Sequence, residues 1–471
     1  MARDIILMTP PYHTGIIEIT GKWPPLNLVY LAGHLRKAGH RIEIYDAMTL
    51  NHTLDEVGRK LEERRPDVVL IGAFTASINA ALDVLALAKK LDSGIVTVLG
   101  GVHPTYCYAE ILNDHGGIVD YIVRGEGEIT SVQLIDALES GGDLREIPGL
   151  AYVDEGELVT TTERELVEDL DTLVAAWDLL DWSEYHYRIT ERRLAVIGSS
   201  RGCNHKCSFC SQHNFWQGKY RERSAEAMVS EIEHLYREYG IGMFMFADEY
   251  STYNSQRWEK ILDLLIEKNM DVHFSLETRV NDILRDHDIL FKYRQAGVIH
   301  VYLGVESVHQ EILDRFKKEL TVEQAKEAIG LLNKAEIITE CSFILGSPEE
   351  TMANIAFTLE QAMDFNPDLA HFLLAMPWPH TEFYHQVKEH IVEFDYSKYH
   401  LVHPIIKPIE MTTEELWEQL INCFRVFYVN KYKQYMAEEP GFKRDYMVKS
   451  MSIMVEEFFQ NNFGPLPIEQ R

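Results

Sequence analysis

The first 150 residues alternate between short apolar runs and longer amphipathic stretches. The short runs are typical of strands that are covered on both faces, and they lie at 5–8, 42–45, 68–72, 96–99 and 121–123. The stretches between them carry apolar residues at helical spacing, over 26–38, 54–64, 79–91, 106–113 and 128–139. This alternation predicts an α/β fold with a doubly wound, Rossmann-like parallel sheet. Ligands of such sheets bind beyond the carboxyl ends of the strands.

The same alternation resumes at residue 194 and continues for six units. Its predicted strands are 194–198, 243–247, 272–276, 298–303, 338–345 and 370–374. Its predicted helices include 225–239, 257–268, 282–295, 322–334 and 352–364. Because functional residues of β/α units follow the carboxyl ends of the strands, the loops after these strands are the second place to look for chemistry.

Two stretches lack this alternation. Residues 149–161 predict a hairpin that turns at 154–156, and the charged residues 162–192 predict a linker between the two α/β units. The C-terminal end has helical patterns over 412–435 and 446–459 and many aromatic and methionine side chains, which favour core packing over a cap on a bulky substrate. The predicted domains are 1–148, a hairpin and linker over 149–192, 193–376, and a mainly helical region over 377–471.

The composition narrows the class of protein. Apolar residues make up 46% of the chain and charged residues 25%, as in soluble globular proteins. No apolar run is long enough to span a membrane, and the first residues enter a predicted strand without a signal peptide. Three isolated cysteines, Cys107, Cys341 and Cys423, are expected to be reduced, which favours a cytoplasmic protein. The net charge of −29 argues against nucleic acid as a partner.

The other three cysteines, Cys203, Cys207 and Cys210, lie within eight residues. Thiolates are the ligands that iron–sulfur clusters prefer. Three of them hold three irons of a 4Fe–4S cluster and leave the fourth iron open to an outside ligand, which makes the cluster a catalytic site. A zinc site is the alternative, with His205 or His213 as the fourth ligand. Structural zinc favours paired cysteines, and a second pair is missing from this sequence.

This C-x3-C-x2-C spacing, with Phe209 directly before the last cysteine, resembles the signature of the radical S-adenosylmethionine (SAM) superfamily. The resemblance implies a partial (β/α)6 barrel with the cluster loop after its first strand. It also implies that SAM chelates the open iron and that an electron from the cluster splits SAM into methionine and a 5′-deoxyadenosyl radical. An external donor of the ferredoxin or flavodoxin type would supply the electron.

The same resemblance implies which strand ends bind SAM. Asp248 and Glu249 form an acidic turn that would hold the SAM amino group, because an amine needs an acceptor. Arg279 would pair with the SAM carboxylate and Glu277 with the ribose hydroxyls. The alternative for Glu306 is a charge at a helix N-terminus. The predicted SAM-binding residues are Phe209, Asp248, Glu249, Glu277, Arg279, Glu306 and Gly346. No side chain is assigned as a catalytic residue.

Turn-forming and polar residues also follow the strands of the first α/β unit. Glycines there let a ligand approach the backbone, and the hydroxyls of Thr75 and Ser77 suit a polar ligand. Together with the segments 22–25 and 31–35, these loops resemble the cobalamin-binding domain that precedes the radical domain in one radical SAM class. The resemblance implies a cobalamin site formed by Pro11, Tyr12, Trp23, Thr75, Ser77, Gly100, Gly101, His103, Gly125, Glu126 and Gly127.

One motif of the wider cobalamin group is absent from the sequence. It is D-x-H-x-x-G, whose histidine ligates cobalt from below. His13 and His103 follow predicted strands but lack this context, and a loop histidine in contact with solvent or a tail amide is the simpler interpretation. We therefore expect base-off cobalamin without a histidine ligand from this motif.

The whole chain is similar to the cobalamin-dependent (class B) radical SAM family typified by the anaerobic magnesium-protoporphyrin monomethyl ester oxidative cyclase. The segments that carry this similarity are 208–212, 215–216, 278–280, 395–399 and 404–408. The similarity implies a C-methyltransferase, in which methylcobalamin gives its methyl group to an unactivated carbon after hydrogen abstraction. The substrate would be a peptide residue such as a glutamine, a tetrapyrrole or a lipid.

Three other functions stay open at this point. The first is the oxidative cyclase itself. The second is a module that senses cobalamin or SAM, although a sensor needs no open cluster. The third is a tRNA methylthiotransferase, which would need further cluster cysteines in the first domain and a basic surface. Cys107 stands alone there and the net charge is −29, so both features argue against it.

Overall fold

The computed structural model describes residues 2–13 and 20–463, and of 457–463 only the backbone. The parts of the predicted domains at 1, 14–19 and 464–471 lie outside the described residues. None of the described helices has the length and apolar character needed to cross a membrane.

The first sheet has seven strands, namely β1 (Asp4–Thr9), β2 (Arg41–Asp46), β3 (Val68–Gly72), β4 (Val96–Gly100), β5 (Tyr121–Val123), β6 (Leu150–Asp154) and β7 (Glu157–Thr160). Their order is β2-β1-β3-β4-β5-β6-β7. The first five are parallel, and β6 and β7 are antiparallel. The strand order reverses between β1 and β3, which is the point where doubly wound sheets bind ligands. The hairpin predicted over 149–161 is present and extends this sheet.

Five helices cover the first sheet, namely α1 (Leu26–Lys37), α2 (Leu54–Arg64), α3 (Ile78–Leu91), α4 (Val102–His115) and α5 (Gly127–Ser140). Alternate strand residues enter separate cores on the two faces of the sheet. Ile6 and Met8 belong to the core under α2, α3 and α4. Ile5 and Leu7 belong to the core under α1 and α5. The predicted doubly wound architecture is therefore confirmed.

The second part of the chain contributes β8 (His186–Tyr187), β9 (Arg192–Ile197), β10 (Ser200–Arg201), β11 (Arg221–Glu222), β12 (Met243–Phe246), β13 (His273–Thr278), β14 (Val298–Glu306), β15 (Ile338–Leu345) and β16 (Leu369–Leu374). The second sheet has the order β16-β15-β14-β13-β12-β9-β8. Strands β9 and β12–β16 are parallel neighbours in chain order, and β8 is antiparallel at the edge. Six parallel strands in this order form the predicted partial barrel.

The helices of this part are α6 (Gln212–Phe215), α7 (Ala225–Tyr239), α8 (Ser255–Lys268), α9 (Val280–Arg285), α10 (Leu290–Ala296), α11 (Gln310–Arg315), α12 (Val322–Lys334), α13 (Met352–Phe365), α14 (Glu382–Val387), α15 (Thr413–Met436) and α16 (Phe442–Phe463). Short 3-10 turns lie at Thr75–Ser77, Leu144–Glu146, Leu170–Thr172, Trp177–Leu179, His287–Ile289, Lys388–His390 and Tyr396–Lys398. Reciprocal capping boxes start α2, α12 and α15, which explains why the sequence located these starts within one residue.

The prediction of one helix over 282–295 is wrong. The chain forms α9 and α10 with a 3-10 turn between them. Asp286, at the break, is buried and accepts hydrogen bonds from Arg285 and from the hydroxyl of Tyr293, the latter at 2.8 Å. These side-chain contacts compensate for the interruption of the helix, and local periodicity could not reveal them.

The C-terminal helices are part of the core and close the lower end of the barrel. Leu416, Leu420 and Phe427 of α15 belong to the main core beside the barrel strands. Tyr446 and Met451 of α16 pack with the amino-terminal ends of the barrel strands. The interpretation of this aromatic region as core is therefore confirmed for both helices.

Candidate functional site

The carboxyl ends of the first sheet and the first loops of the barrel line one cavity of about 480 Å³. The first domain contributes the ends of β1, β3, β4 and β5 together with part of α1. The barrel contributes residues before and after the motif cysteines, among them Arg201 and Trp216, and the turn after β12. Six predicted cobalamin-binding residues and one predicted SAM-binding residue line this cavity, namely Trp23, Gly100, Gly101, Gly125, Glu126, Gly127 and Glu249.

The cluster loop begins at Gly202, directly after β10. Gly202 has φ +91°, and a Cβ there would lie 2.1 Å from the carbonyl oxygen of Lys219. Its N–H donates to Glu249 Oε2 at 3.0 Å. Only glycine fits this conformation and this space without a shift of the backbone. The sequence therefore needs glycine directly before the first cysteine of the motif.

The three motif cysteines are free thiols in half-buried positions. Burial first, and then the nearby charges of Cys207 and Cys203, raise the pKa of the Cys210 thiol to about 11. Mutual repulsion of this kind shows that the thiols are neighbours, and a bound cation would relieve it. Nη1 of Arg279 lies 3.9 Å from Cys207 Sγ. The donor set therefore fits an iron–sulfur cluster.

A zinc ion at the same loop finds less support. Among the described residues, no group of three or more histidine, cysteine or carboxylate side chains is gathered closely enough for a single metal ion. Nδ1 of His205 instead lies 2.7 Å from Glu319 Oε2. His213 packs against Gly218. Neither histidine is paired with the cysteines as the zinc alternative required.

The two carboxylates of the acidic turn have different surroundings. Asp248 is buried, and its oxygens accept hydrogen bonds from the N–H and hydroxyl of Ser199, at 2.9 Å and 2.7 Å, and from the hydroxyl of Ser200. Glu249 accepts from Gly202 N and, at 2.7 Å, from Trp216 Nε1. Burial raises the pKa of both carboxyls. Asp248 therefore holds the residues that lead into the cluster loop, which argues against its predicted contact with SAM, whereas Glu249 lines the cavity.

The remaining predicted SAM-binding residues surround the barrel interior. Phe209 packs edge-on against Phe316, with ring centroids 5.0 Å apart. Arg279 donates a hydrogen bond to the carbonyl of Lys318. Gly346 has φ +83°, and its N–H donates a hydrogen bond to Glu350. Glu277 faces the interior of the barrel and is exposed there. Burial by the surrounding wall and then the charges of other glutamates raise the pKa of Glu277 to about 7.

Glu306 is engaged by its own protein. Its Oε1 accepts a hydrogen bond from Lys318 Nζ at 2.6 Å, and its Oε2 accepts one from Ser342 at 2.8 Å. The residue has φ +68°, which is costly for a side chain other than glycine. Its register with β15 is irregular at the same place. Glu306 is therefore a buried ion-pair residue at the mouth of the barrel and not a charge at a helix N-terminus.

A buried group of charges joins the two domains. Arg201, two residues before Cys203, donates to Glu126 Oε1 at 2.7 Å and to Glu128 Oε1 at 2.5 Å. Arg221 donates to both oxygens of Glu126 at 3.0 Å. We call these four residues the interdomain clamp. The clamp occupies the carboxylate of Glu126, so the side chain predicted to bind cobalamin binds arginines instead.

The glycine turn after β4 approaches the neighbouring loop closely. Gly101 has φ +100°, and a Cβ there would lie 2.4 Å from the carbonyl oxygen of Ala73. Gly125 also has positive φ, at +75°, but open space surrounds its Cα. A ligand can therefore approach the backbone at Gly125, whereas Gly101 is required by the packing of the protein itself.

Five predicted cobalamin-binding residues do not line the cavity. Ser77 is buried and bonds to the backbone of Phe74 at 3.2 Å and 3.3 Å. His103 is also buried, with Nδ1 3.1 Å from Thr75 Oγ1, and burial lowers the pKa of its imidazole to about 4. Tyr12 and Pro11 lie at the rim, where the Tyr12 hydroxyl donates to the carbonyl of Ser397 at 3.0 Å. These residues shape the loops around the cavity.

Unpaired polar atoms indicate that the cavity suits a large polar ligand. Nε1 of Trp23 and the hydroxyl of Tyr30 are buried and have no hydrogen-bond partner among the described residues, and both side chains line the cavity. Buried polar groups normally have a partner. The cavity therefore fits cobalamin, whose ring carries amide side chains. It has hydrogen-bond donors at its wall, glycine loops at the strand ends and an apolar lining.

Sequence reasoning missed several residues of the cavity. They include the aromatic side chain of Phe74, which is 50% exposed, and the side chains of Tyr30 and Arg223. Phe74 lies inside a strand-end segment that the sequence did identify, and an apolar residue in such a loop was an available signal. Tyr30 and Arg223 gave no local signal, because a tyrosine on a helix and an arginine after a short strand are common in any protein.

Comparisons with known proteins agree with this arrangement. Residues 12–135 match the model of the B12 binding domain, and residues 197–362 match that of the radical SAM superfamily. The chain is 37% identical over 468 residues to the anaerobic magnesium-protoporphyrin IX monomethyl ester cyclase of Rubrivivax gelatinosus, covering 98% of this chain and 84% of that protein. It is 30% identical over 429 residues to an uncharacterized methyltransferase of Pyrococcus horikoshii, covering 90% of this chain and 92% of that protein.

A solved structure has the same fold. It is the radical SAM methyltransferase TsrM from Kitasatospora setae with cobalamin and a 4Fe–4S cluster bound. The TM-score is 0.73 at 15% sequence identity, and the match covers 98% of this chain and all of that one. At this identity the likeness concerns the fold alone.

Proposed function

Because the chain belongs to the cobalamin-binding radical SAM enzyme family that includes the anaerobic magnesium-protoporphyrin IX monomethyl ester cyclases, we propose that it is a C-methyltransferase. It transfers a methyl group to an unactivated carbon of a substrate. The observation that carries this proposal is a cavity that is bounded by loops of both domains. A cobalamin held by the strand-end loops and a substrate radical formed beside the cluster loop would meet in that space.

The cofactors supply the chemistry and the chain supplies their positions. When bound, SAM and the cluster provide a radical that removes a hydrogen atom from the substrate, and cobalamin provides the methyl group. Cys203, Cys207 and Cys210 would hold the cluster. Glu249 and Arg279 flank the cluster loop, so they are the side chains best placed to bind the amino acid part of SAM.

The cobalamin is proposed to be base-off. The motif that supplies a histidine to cobalt is absent from the sequence, and His103 is buried against Thr75 and away from the cavity. Phe74, which directly precedes Thr75, is exposed, and its side chain cannot ligate cobalt. The absorption and electron paramagnetic resonance spectra of bound cob(II)alamin test this. Nitrogen hyperfine splitting from a protein histidine would contradict it.

Further parts of the proposal concern the surroundings of the enzyme. The electron comes from a ferredoxin or flavodoxin type of donor, in a reducing cytoplasm. The acidic surface, with a net charge of −29, excludes nucleic acid and leaves a small molecule or a protein as the substrate.

The oxidative cyclase is the second candidate function. It is favoured by one observation, the 37% identity over nearly the whole chain to a protein of that name. In that reaction the substrate radical is oxidised and trapped by water, and no methyl group is transferred.

One experiment separates the two functions. The reconstituted enzyme is given SAM with a deuterated methyl group, a reductant, and either a glutamine-containing peptide or magnesium-protoporphyrin monomethyl ester, and the products are analysed by mass spectrometry. Gain of a CD3 group supports methyl transfer. Gain of oxygen or loss of hydrogen without the label supports the cyclase and contradicts methyl transfer. Cys203→Ala is the control. It should abolish either reaction, and this loss of activity would argue against a sensing module.

A further inference from the structure

The interior of the barrel contains a set of polar side chains that includes the predicted SAM-binding residue Glu277, one residue before the end of β13, and extends deeper into the barrel. His371 is the third residue of β16, three residues before the end of that strand. At the rise of a β-strand it lies about 10 Å below the carboxyl end. Glu277 on β13 and Tyr302 on β14 face the same interior, and the rings of Tyr302 and His371 are 6.3 Å apart. We call this space the barrel floor.

A neighbouring carboxylate favours the charged form of His371. Its Nε2 donates to Glu340 Oε1. Burial alone would lower the pKa of His371, but the charge of Glu340 and the hydrogen bond to it outweigh burial and raise it. The other oxygen of Glu340 lies 2.6 Å from His300 Nε2. The hydroxyl of Tyr446 lies 3.1 Å from His300 Nδ1.

This chain of contacts anchors His371 and leaves one nitrogen available. The His371 side chain is 30% exposed, although helix α16 closes the floor from below, so the exposed part faces the interior. The ring of His371 makes its hydrogen bond through Nε2. Its Nδ1 has no hydrogen-bond partner among the described residues. In the charged ring, which the carboxylate of Glu340 favours, this free Nδ1–H is a strong hydrogen-bond donor.

Glu277 is the complementary group of the floor. The other interior carboxylates have partners, since Glu306 is paired with Lys318 and Glu340 with two histidines. Glu277 is exposed to the interior, and within the described residues its carboxylate has no ion pair or side-chain hydrogen bond. Glu277 is the register partner of Tyr302, whose ring lies 6.3 Å from that of His371, and no hydrogen bond or ion pair joins Glu277 to His371 within the described residues. The floor therefore presents a donor, His371, and an acceptor, Glu277, on either side of Tyr302.

We infer that the barrel floor is a subsite for an uncharged polar group of the substrate, an amide or a hydroxyl, that accepts a hydrogen bond from His371 and donates one to Glu277. A carboxylate can accept a hydrogen bond from His371 but has no proton to donate to Glu277, and an ammonium can donate to Glu277 but has no lone pair to accept from His371. A neutral donor and acceptor satisfies both groups. This inference deepens the proposed function and rests on it, because it names the kind of group that the substrate carries into the barrel.

Glu277 is also the predicted partner of the SAM ribose. A carboxylate has two oxygens, so one can face each ligand. The inference excludes substrates whose buried end is pure hydrocarbon, because such an end would leave both polar groups of the floor without partners.

The test is a titration of the reconstituted enzyme with four six-carbon probes, without SAM. The probes are hexanamide, 1-hexanol, hexanoate and hexylamine, and binding is measured by calorimetry. Hexanamide or 1-hexanol should bind roughly tenfold more tightly than both charged probes. The two neutral probes distinguish an amide subsite from a hydroxyl subsite. Tightest binding by a charged probe, or no binding by any of the four, overturns the inference.

Substitutions locate the binding. His371→Phe keeps an aromatic ring and should abolish the preference for the neutral probes, whereas His287→Phe, at an exposed histidine, should leave it intact. Survival of the preference in His371→Phe overturns the inference. If His371→Phe does not fold, as judged by circular dichroism, Glu277→Leu takes its place with the same criterion. Because no SAM is present, these results do not depend on turnover, and failure of methyl transfer is detected separately by the labelled SAM experiment.

Discussion

Replacing Arg201 by methionine removes the ion-pair partner of Glu128 in the interdomain clamp. Both residues are largely buried, with side chains 14% and 7% exposed. Glu126 keeps Arg221 and the N–H of Val167 in this variant, so the substitution isolates the effect on Glu128. Leaving one member of a buried pair without its partner costs about 3–5 kcal/mol.

The pH dependence of this cost has a defined sign. Burial by itself raises the pKa of Glu128, but the charge of Arg201 and its hydrogen bond lower it below the ordinary value. The native pair therefore contributes stability above the unfolded pKa of glutamate, and this stability is lost as the pH falls. Without Arg201, burial is the dominant effect on Glu128, so its pKa is higher in the folded protein than in the unfolded chain. The variant should then lose stability as the pH rises, by up to about 1.4 kcal/mol per pH unit between the two values.

The assay is urea unfolding of the cluster-free protein at about pH 5.5 and about pH 8. The midpoint is compared, because a chain of this size need not unfold in one step. Arg201→Met should lower the midpoint by roughly 1 M at the higher pH and by less at the lower pH. The double variant Arg201→Met/Glu128→Gln should recover most of the loss. An equal loss at both pH values, or no recovery in the double variant, would refute this account of the clamp.

Three further substitutions test the loops around the cavity. Gly202→Ala places a Cβ against a backbone carbonyl oxygen and should abolish the iron–sulfur absorption band. The control Gly141→Ala changes a glycine that also has positive φ but lies in open space, and it should keep the band. A retained band in Gly202→Ala would contradict the packing argument. Gly33→Ala places a Cβ 1.9 Å from a carbonyl oxygen of the linker and should destabilise the folded protein by about 1–3 kcal/mol. The control Gly330→Ala, at an open helical position, should stabilise the folded protein slightly. Equal melting temperatures of the two variants would contradict this prediction. Trp216→Phe removes a hydrogen bond to Glu249 of the acidic turn and should weaken SAM binding roughly tenfold, as measured by equilibrium dialysis. Unchanged affinity would count against a role of this hydrogen bond in positioning Glu249 for SAM.

Local signals made much of the fold predictable. Strand β15 was located to the residue, because a mainly apolar run of eight residues, interrupted by Glu340, lies between two turn signals. The start of α12 follows from Thr321 and Gln324, which form a capping box. The cluster loop was predictable because cysteines at this spacing have few other uses. In each case the residues that decide the structure are close together in the sequence.

The contacts that were not predictable join distant segments. Glu126 was expected to contact cobalamin, and nothing near it in the sequence indicates that Arg201 and Arg221 would reach its carboxylate. His371 and Glu340 alternate with apolar residues along their strands, as the polar residues of a solvated sheet face also do. Their inward direction depends on the curvature of the second sheet, which is a property of six strands together and not of any one.

The interdomain clamp has a consequence for how such proteins can be recombined. Glu126 and Glu128 belong to the loop that begins α5, whereas Arg201 and Arg221 belong to the short strands that flank the cluster loop. A chimera that takes its first domain from a relative lacking these two glutamates would bury two arginines without counter-ions. The halves of this protein are therefore not interchangeable modules, and a functional hybrid would have to exchange all four charges as one set.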